Sequence, residues 1–489
     1  MREHALLDPD LWSGRIHTAD GWTPGRGGET EVVEKATGKQ LGMIGGASPE
    51  DVRDAARRAR EAQRAWAATS YEARAAVLRE AGRLWEAHAA EIQDWLVREA
   101  GSVSAKAQLE IHVAAQECFE AASLASLPSG TVLPSSEPRW SFSRRTPAGV
   151  VAVIAPFNFP LILAIRSVAP ALALGNAVLL KPDPRTAVCG GAALVRVFEE
   201  AGLPRGLLQL LPGAAETGEA LVTAPEVRVV SFTGSTAAGR AVGRLAGEHL
   251  KRAHLELGGN NALIVLEGAD LARAASAGAF GSFLHQGQIC MSTGRHLVHE
   301  SLYEAYVEAL AAKAEQLPVG DPSTGQVALG PIIDARQVAR IDDLVRRSVQ
   351  AGARLVAGGT YDGLFYRPTV LADVSPGMPA YAEEVFGPVA PIVPFSTVDE
   401  AIALAADTEY GLSLGILGDP GAAMRIADAV PSGIAHINEQ TVADEANAPF
   451  GGVGASGTGS RFGGPEANIE AFTEAQWLTV RAEIAPYPF

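Results

Sequence analysis

Five short apolar runs between residues 148 and 266 constrain the possible folds of this chain most strongly. Helical patterns fill most of the intervals between them, and the runs are 150–154, 177–180, 207–211, 227–232 and 262–266. Apolar strands that alternate with helices are typical of a parallel sheet covered on both faces. The sequence therefore predicts an α/β fold built on a doubly wound, Rossmann-like parallel sheet.

A second set of strand and helix patterns follows from residue 294 onward. Strands are predicted at 295–299, 391–395, 412–417 and 433–437, and helices at 301–315 and 335–351. We interpret this part as a second α/β domain, followed by a strand-like run near the C-terminus. The N-terminal part is predicted to contain helices that start at Ser48-Pro49, at 71–99 and at 105–124.

Composition and charge argue against several classes of partner. The net charge of −16 disfavours nucleic acid and acidic membrane surfaces. The most apolar stretch, 149–180, is interrupted by Pro, Asn and Arg residues, which indicates buried strands and not a membrane span. The three cysteines fit neither a disulfide framework nor a metal-ligand spacing, and the N-terminus lacks a signal-peptide pattern. We therefore expect a cytoplasmic protein without a metal site.

Polar residues follow the predicted strands, at the edge where a doubly wound sheet binds its ligand. Thr233, Gly234 and Ser235 begin a predicted helix and offer N–H groups and hydroxyls to an anion such as a pyrophosphate. The same residues also fit a plain helix N-cap, and no GxGxxG fingerprint occurs. On these residues alone, both interpretations stay open.

Cys290 lies where a thiol can be presented to a cavity. The surrounding segment 281–295, GSFLHQGQICMSTGR, places the cysteine between an apolar stretch and a strand-like run. Taken alone, a single cysteine is more often a small buried hydrophobe than a nucleophile. A catalytic role therefore depends on the rest of the chain.

Seven motifs occur in one order along the sequence. They are PFNFP (156–160), GNAVLLKP (175–182), FTGST (232–236), ELGG (256–259), GQIC (287–290), EEVFGP (383–388) and PFGG (449–452). In this set the chain closely resembles the aldehyde dehydrogenase superfamily over essentially its whole length, and it is most similar to bacterial benzaldehyde and related aromatic aldehyde dehydrogenases. The resemblance implies an NAD(P)-binding domain (1–128 and 149–258), a catalytic domain (259–455) and an oligomerisation element (129–148 and 476–489).

The resemblance implies that three residues carry the chemistry. Cys290 would be the nucleophile that adds to the aldehyde carbon, and Asn158 would stabilise the oxyanion together with the Cys290 backbone N–H. After hydride transfer, Glu256 would activate the water that hydrolyses the thioester. A glutamate suits this role because burial raises the pKa of a carboxyl group toward neutrality.

The implied cofactor is NAD or NADP, with NAD favoured. Lys181 would bind the adenosine ribose, and Ser235 with its helix would hold the pyrophosphate. Glu384 would bind the nicotinamide ribose, beside Phe386. The expected cofactor-binding residues are Ile154, Pro156, Lys181, Gly213, Thr233, Gly234, Ser235, Leu257, Gly258, Glu384 and Phe386.

The expected substrate pocket is apolar apart from one arginine. Its predicted residues are Phe159, Leu163, Arg166, Leu284, Ile289, Met291 and Phe450. Arg166 stands where many relatives have an aromatic residue. Its guanidinium would either stack on or hydrogen-bond an aromatic substrate, or form an ion pair at the rim of the channel.

Three positions depart from the family pattern. Pro184 stands where many NAD-preferring relatives have a Glu that would repel a 2′-phosphate, so the sequence leaves NADP open. Ser167 and Arg461 stand where many relatives have a Lys and a Glu that are thought to pass a proton from the general base. Proton exit from Glu256 must then use another path, for which water is the candidate.

Several functions compete with the oxidation of an aromatic aldehyde to its acid. An aliphatic aldehyde or semialdehyde dehydrogenase keeps the same chemistry, whereas a CoA-acylating enzyme would not need Glu256 to activate water. A cysteine hydrolase would need a histidine partner such as His285, and a catalytically silent relative would not need Cys290. We expect a homodimer or a dimer of dimers, built through the C-terminal strand.

Overall fold

The computed structural model describes residues 5–127 and 129–489. Its α-helices are α1 (Pro9–Trp12), α2 (Pro49–Ala67), α3 (Tyr71–Ala87), α4 (Ala89–Ala100), α5 (Ser104–Leu124), α6 (Ile162–Ala173), α7 (Ala193–Glu200), α8 (Ala215–Thr223), α9 (Thr236–Glu248), α10 (Leu271–Phe283), α11 (Tyr303–Gln316), α12 (Ala335–Gln350), α13 (Pro379–Ala382), α14 (Val398–Ala406), α15 (Pro420–Ala429) and α16 (Pro465–Phe472). Shorter helical turns lie at Pro184–Thr186, Val188–Ala192 and Leu284–Gly287.

The strands are β1 (Arg15–Thr18), β2 (Gly21–Pro24), β3 (Glu29–Val33), β4 (Gln40–Gly45), β5 (Gly130–Val132), β6 (Trp140–Pro147), β7 (Val150–Ile154), β8 (Ala177–Lys181), β9 (Leu208–Leu210), β10 (Val227–Thr233), β11 (Arg252–Glu256), β12 (Asn261–Val265), β13 (Thr293–His299), β14 (Arg354–Ala357), β15 (Tyr361–Asp362), β16 (Phe365–Tyr366), β17 (Thr369–Ala372), β18 (Val389–Phe395), β19 (Tyr410–Gly411), β20 (Ser413–Leu417), β21 (Ile434–Ile437), β22 (Val453–Gly454) and β23 (Thr473–Val480).

The first large sheet has the strand order β11-β10-β7-β8-β9-β1-β2. Neighbouring strands from β11 to β9 are parallel, and the β1-β2 hairpin is added antiparallel at the edge. All residues of β7 and β8 are buried, which explains why these strands read as continuous apolar runs. The prediction of an α/β fold with a parallel sheet is confirmed.

The second large sheet has the order β14-β17-β18-β13-β12-β20-β21. Its strands are parallel except for β14, which runs antiparallel to β17. A third, three-stranded antiparallel sheet joins β23 to β6 and β6 to β5. The domain boundaries stay a prediction, and residues 1–4 and 128 of the expected first domain lie outside the described residues.

Two local predictions were wrong. The helix expected at 71–99 is two helices, because His88, with φ −98° and ψ 15°, leaves the helical conformation between α3 and α4. Strand β11 was not predicted, because Arg252 and His254 interrupt its apolar pattern. This strand matters for function because it ends at Glu256.

Within 5–127 and 129–489, no helix is both long and apolar enough to cross a membrane. No group of three or more His, Cys, Asp or Glu side chains in the same ranges is arranged to hold a metal ion.

Candidate active site

A cavity of 390 Å³ lies at the carboxyl ends of the parallel strands of the first sheet. Ile154, Lys181 and Thr233 are the last residues of β7, β8 and β10, and all three line it. Open α/β sheets bind ligands at this edge. Further lining residues that the sequence predicts are Pro156, Asn158, Leu163, Gly234, Ser235, Leu257, Gly258, Cys290, Glu384 and Phe386.

Cys290 reaches this cavity because an unusual turn ends α10. His285 and Gln286 have positive φ angles of 47° and 56°, in a region that residues other than glycine seldom adopt. Gln286 is held there by hydrogen bonds from Nε2 to the carbonyls of Pro331 (2.8 Å) and Gly101 (3.2 Å). The backbone carbonyl of Cys290 accepts a hydrogen bond of 2.8 Å from Asn261, so both ends of the segment are fixed.

The Cys290 thiol is weakly acidic. Burial raises its pKa to about 12, and the carboxylates of Glu384 and Glu256 act in the same direction. Arg166 opposes them with a smaller effect. The thiol is therefore protonated at neutral pH and needs a base before it can add to a carbonyl carbon.

Asn158 lies in the loop that follows β7, and only 3% of it is exposed. Its side-chain Nδ2 donates a hydrogen bond of 2.9 Å to the backbone carbonyl of Gln288, two residues before Cys290. An amide nitrogen has two N–H groups, so one remains for a ligand. Both Asn158 and Cys290 line the cavity, as an oxyanion site would require.

Glu256 is the last residue of β11, and it pairs in register with Thr233 of β10. Both of its carboxylate oxygens are buried without a hydrogen-bond partner in the described part of the chain. Burial raises its pKa well above the usual value, and the positive charges of Arg166 and Arg461 only partly offset this effect. A buried, unpaired carboxyl group of this kind can accept a proton near neutral pH.

The backbone packs tightly against this carboxylate. Gly451 has a φ of +155°, and a Cβ atom at that position would lie 2.9 Å from Oε1 of Glu256. Arg461 lies on the same side, and its guanidinium donates to the carbonyls of Gly452 (3.1 Å) and Ser460 (2.9 Å). Arg461 therefore lowers the pKa of Glu256 by its charge but is not itself a proton carrier.

The residues expected to bind a dinucleotide are suited to phosphate and ribose groups. Ser235 caps the N-terminus of α9, where its hydroxyl accepts from Ala238 N, and the helix start faces the cavity. Helix N-termini attract phosphate through their free N–H groups. Lys181 is buried, and burial lowers its pKa, while Asp183 and Glu216 oppose that shift.

Side chains of α12 form hydrogen bonds with the backbone of the loop that carries Glu384 and Phe386. Arg340 donates to the Glu384 carbonyl at 2.9 Å, and Gln337 donates to the Phe386 carbonyl at 2.9 Å. Oε1 of Glu384 accepts a hydrogen bond of 3.1 Å from the backbone N–H of Gly259. Burial raises the pKa of Glu384 to about 7.

Gly213 is the one expected cofactor residue that does not line the cavity. A Cβ atom there would lie 2.1 Å from the Thr217 hydroxyl, so close packing against α8 accounts for the glycine.

Five of the seven expected substrate residues come together in one cluster, whereas Leu163 lines the cavity and Arg166 lies at the cluster edge. Ile289, Met291 and Phe450 form a buried apolar cluster with Leu412, and Phe159, Leu284 and Cys290 pack against it. This arrangement surrounds the thiol with apolar side chains. An apolar wall with a few polar groups is typical of pockets for small organic ligands.

Arg166 lies on α6 at the edge of this cluster. It is ion-paired with Asp444, and its guanidinium lies 4.4 Å from the centre of the Phe450 ring. Its Nε and Nη1 atoms are buried and have no hydrogen-bond partner among residues 5–127 and 129–489. The expected ion pair is present, and two donors remain free for a ligand.

Several residues that line the cavity are not among the predicted site residues. Arg185 contacts the Phe157 ring at 4.2 Å and is ion-paired with Asp183 and Asp334. Arg336 and Arg340, one turn apart on α12, also line the cavity. Their i, i+4 spacing predicts that both side chains lie on the same face of α12. Lys106 and Glu110 on α5 form a third group, behind the loop that carries Asn158.

Comparisons with known proteins agree with this geometry. Residues 22–478 match the aldehyde dehydrogenase family. The chain is 66% identical to the vanillin dehydrogenase of an Amycolatopsis species over 99% of its own length and 100% of that protein. It is 49% identical to the NAD(+) benzaldehyde dehydrogenase of Pseudomonas putida, with full coverage of both chains.

Among solved structures, the chain is similar to a salicylaldehyde dehydrogenase from Pseudomonas putida G7 complexed with salicylaldehyde. The TM-score is 0.94 at 35% identity, covering 97% of this chain and 99% of the other. Family match, sequence identity and fold all agree, and the chain belongs to the aldehyde dehydrogenase family.

Proposed function

We propose that the protein oxidises an aromatic aldehyde to its carboxylic acid with NAD, through a thioester on Cys290. The observation that carries this proposal is the Cys290 thiol and the Asn158 amide in one cavity lining, together with the buried, unpaired Glu256 carboxyl whose charge acts on that thiol. Each has a defined part in aldehyde oxidation.

The thiol of Cys290 adds to the aldehyde carbon after losing its proton, which gives a thiohemiacetal. Glu256 is suited to take that proton because its pKa is also raised well above the usual value. The side-chain N–H of Asn158 stabilises the negative charge on the former carbonyl oxygen. When bound, the nicotinamide supplies the acceptor for the hydride that leaves this carbon.

Glu256 passes the thiol proton to water before hydrolysis begins. The absence of a lysine and a glutamate at Ser167 and Arg461 leaves water as the proposed carrier of this proton, and Arg461 helps the base to lose it by favouring the carboxylate form. Glu256 then takes a proton from a second water molecule, whose oxygen attacks the thioester carbon. The C–S bond breaks, the departing thiolate sulfur takes that proton from Glu256, and the acid and the free thiol are released.

We propose NAD as the preferred cofactor over NADP. The guanidinium of Arg185 is engaged by Asp183 and Asp334 and is not free for a 2′-phosphate. The carboxylates of Asp183 and Glu216 act on Lys181, and they would repel a phosphate placed beside it. Initial rates with both cofactors test this: kcat/KM should be higher with NAD.

The proposed substrate is an aromatic aldehyde that carries a polar ring substituent. The apolar cluster provides the ring environment, and the free Nε and Nη1 of Arg166 provide donors for a ring oxygen. The relatives named for vanillin and salicylaldehyde, which are hydroxylated benzaldehydes, support this choice.

A panel of aldehydes tests the substrate proposal. Hydroxylated benzaldehydes should exceed benzaldehyde and aliphatic aldehydes in kcat/KM, and Arg166→Met should reduce the hydroxyl preference by about tenfold, the value of one charged hydrogen bond. A higher kcat/KM for an aliphatic semialdehyde would contradict the proposal.

Two alternative chemistries are less well supported. A CoA-acylating enzyme needs no water-activating base, yet Glu256 is buried with a raised pKa beside the thiol. A cysteine hydrolase would need His285 as a partner, but this ring packs edge-on against Phe159 and burial holds its pKa well below the usual value. Acyl-CoA formation in an assay with added CoA would favour the first alternative.

We propose that a second copy of the chain covers the three-stranded sheet. Trp140 and Trp477 on β6 and β23 are 66% and 67% exposed, and Val132 on β5 is 64% exposed. Large exposed apolar side chains on one small sheet indicate an interface. The three free cysteines fit the reducing cytoplasm, which we propose as the location of the protein.

A further inference from the structure

A buried ion pair on α5 lies directly behind the loop that carries Asn158. Lys106 and Glu110 are one helical turn apart, and both side chains are 0% exposed. Besides Glu110, the Lys106 ammonium donates to the Ser102 hydroxyl (3.1 Å) and to the backbone carbonyl of Asn158 (2.7 Å). All three of its N–H groups are therefore used, one of them on Asn158.

Glu110 fixes the other end of the same loop. Its second oxygen, Oε2, accepts a hydrogen bond of 3.0 Å from the backbone N–H of Leu161, the residue before α6. Helix α6 has no side-chain cap within its own segment. A carboxylate at a helix N-terminus satisfies a free N–H group and favours the helix dipole. Glu110 therefore sets the point at which the loop becomes α6.

Asn158 is thus held from two directions. Lys106 fixes its backbone carbonyl, while the carbonyl of Gln288 accepts from its side chain at 2.9 Å. The Lys106 ammonium also lies 4.4 Å from the ring centre of Phe159. An oxyanion donor is effective only within about 0.5 Å of the productive position. The Lys106–Glu110 ion pair therefore links α5 to the loop that places the Asn158 side chain.

We propose that Lys106 and Glu110 are positioning residues for the oxyanion donor. The inference rests on the proposed function of Asn158. Neither side chain lines the cavity, so the pair acts through the backbone of the loop and does not touch the substrate. A contribution to folding stability does not by itself explain why this pair is present, because well-packed apolar residues are often at least as stabilising as a buried ion pair.

The test is a double-mutant cycle on the rate of NADH formation in the first turnover. The double change Lys106→Met and Glu110→Gln removes the donor to the Asn158 carbonyl. It leaves no unpaired buried charge, and the new glutamine offers an amide oxygen to the Leu161 N–H. Removing an oxyanion donor costs about 10²–10³ in rate, so misplacing it should cost about 10–100-fold. KM for NAD should change by less than about twofold, because the cofactor residues are untouched.

The same pair of changes in an Asn158→Ala background should cost less than about threefold, because the group to be positioned is gone. An equal loss in both backgrounds, or no loss in the first, would overturn the positioning role and leave the function of Asn158 intact. If Asn158→Ala alone leaves the rate unchanged, the oxyanion assignment fails and the positioning role fails with it.

Glu99→Gln provides a matched control. Glu99 is another fully buried carboxylate that accepts from two backbone N–H groups, those of Val188 (3.1 Å) and Cys189 (2.6 Å), and its side chain makes no hydrogen bond to 156–160 in the described part of the chain. It should lower thermal stability without lowering the first-turnover rate. If the double variant does not fold, the single variant Lys106→Met replaces it in the same cycle, because burial raises the pKa of Glu110 and lets it become neutral.

Discussion

Cys290 is a neutral thiol at neutral pH, because burial and two nearby carboxylates raise its pKa to about 12. Arg166 favours the Cys290 thiolate only weakly, because its charge is shared with Asp444. Reactivity at neutral pH therefore depends on proton transfer to Glu256 during turnover. The sequence predicts Cys290 as the nucleophile and Glu256 as the base, but their protonation states depend on burial, which only the fold reveals.

Alkylation of the free enzyme by iodoacetamide measures the Cys290 pKa directly. With a pKa of about 12, the rate should rise about tenfold per pH unit from pH 7 to 9.5, since only the thiolate reacts. The modified residue is identified by peptide mass spectrometry, and Cys118 and Cys189, which are fully buried, serve as internal controls. A rate that levels off below pH 8 would show a stable thiolate.

Glu117 gives a pH-dependent contribution to stability. Burial raises its pKa to about 8, whereas in the unfolded chain the carboxyl ionises near 4.5. The folded form therefore resists ionisation, and the stability of the protein falls as the pH rises from about 4.5 to 8. Glu117→Gln should be more stable than the parent by about 1–3 kcal/mol at pH 8.5 and by little at pH 5 in urea unfolding. An equal difference at both values would contradict this account.

The ends of four parallel strands assemble the site. β7, β8 and β10 were predicted from their apolar runs within one residue at each boundary, because β7 and β8 are buried throughout and β10 is buried except at Arg228 and Thr233. β11 was missed because Arg252 and His254 are polar, although it delivers Glu256. Hydrophobic runs predict strands whose two faces are apolar. β11 lacks such a run, because its Arg252 and His254 side chains form hydrogen bonds with the Ala471 carbonyl in the C-terminal region.

Helix α9 should show the difference between capping and cofactor binding. Ser235→Ala removes the N-cap and should cost about 1 kcal/mol in the free energy of unfolding. It should also raise KM for NAD, because the same helix start faces the cavity. Asp419→Ala removes the N-cap of α15, away from the cavity, and should cost similar stability without changing KM for NAD. Equal KM effects in both variants would argue against a phosphate site at α9.

Contacts between distant segments are the part of the molecule that the sequence did not predict. Lys106 binds Asn158 across 52 residues and Arg166 binds Asp444 across 278 residues. The i, i+4 spacing of Lys106 and Glu110 on α5 predicts that they pair with each other, but no local pattern predicts their hydrogen bonds to Asn158 and Leu161. The resemblance to a family predicts the residues that we propose to bind ligands, and the structure shows which residues hold them in place.

The three-stranded sheet predicts an assembly larger than one chain. Trp140 and Trp477 lie on adjacent strands, and both are largely exposed. Trp477→Ser with Trp140→Ser should weaken self-association, so light scattering during gel filtration should shift from a multiple of 50.9 kDa toward one chain. A parent protein that already elutes as one chain would contradict the proposed interface.

The central claim is that a thioester forms on Cys290 and that Glu256 is needed to hydrolyse it. Mass spectrometry of the intact protein and of its peptides, after mixing Glu256→Gln with NAD and benzaldehyde, measures the thioester directly. We expect a benzoyl group on the peptide that contains Cys290, a burst of one NADH per active site, and no adduct in Cys290→Ala. Aldehyde oxidation that survives Cys290→Ala, or a Glu256→Gln enzyme that turns over at the parent rate without an adduct, would contradict the account.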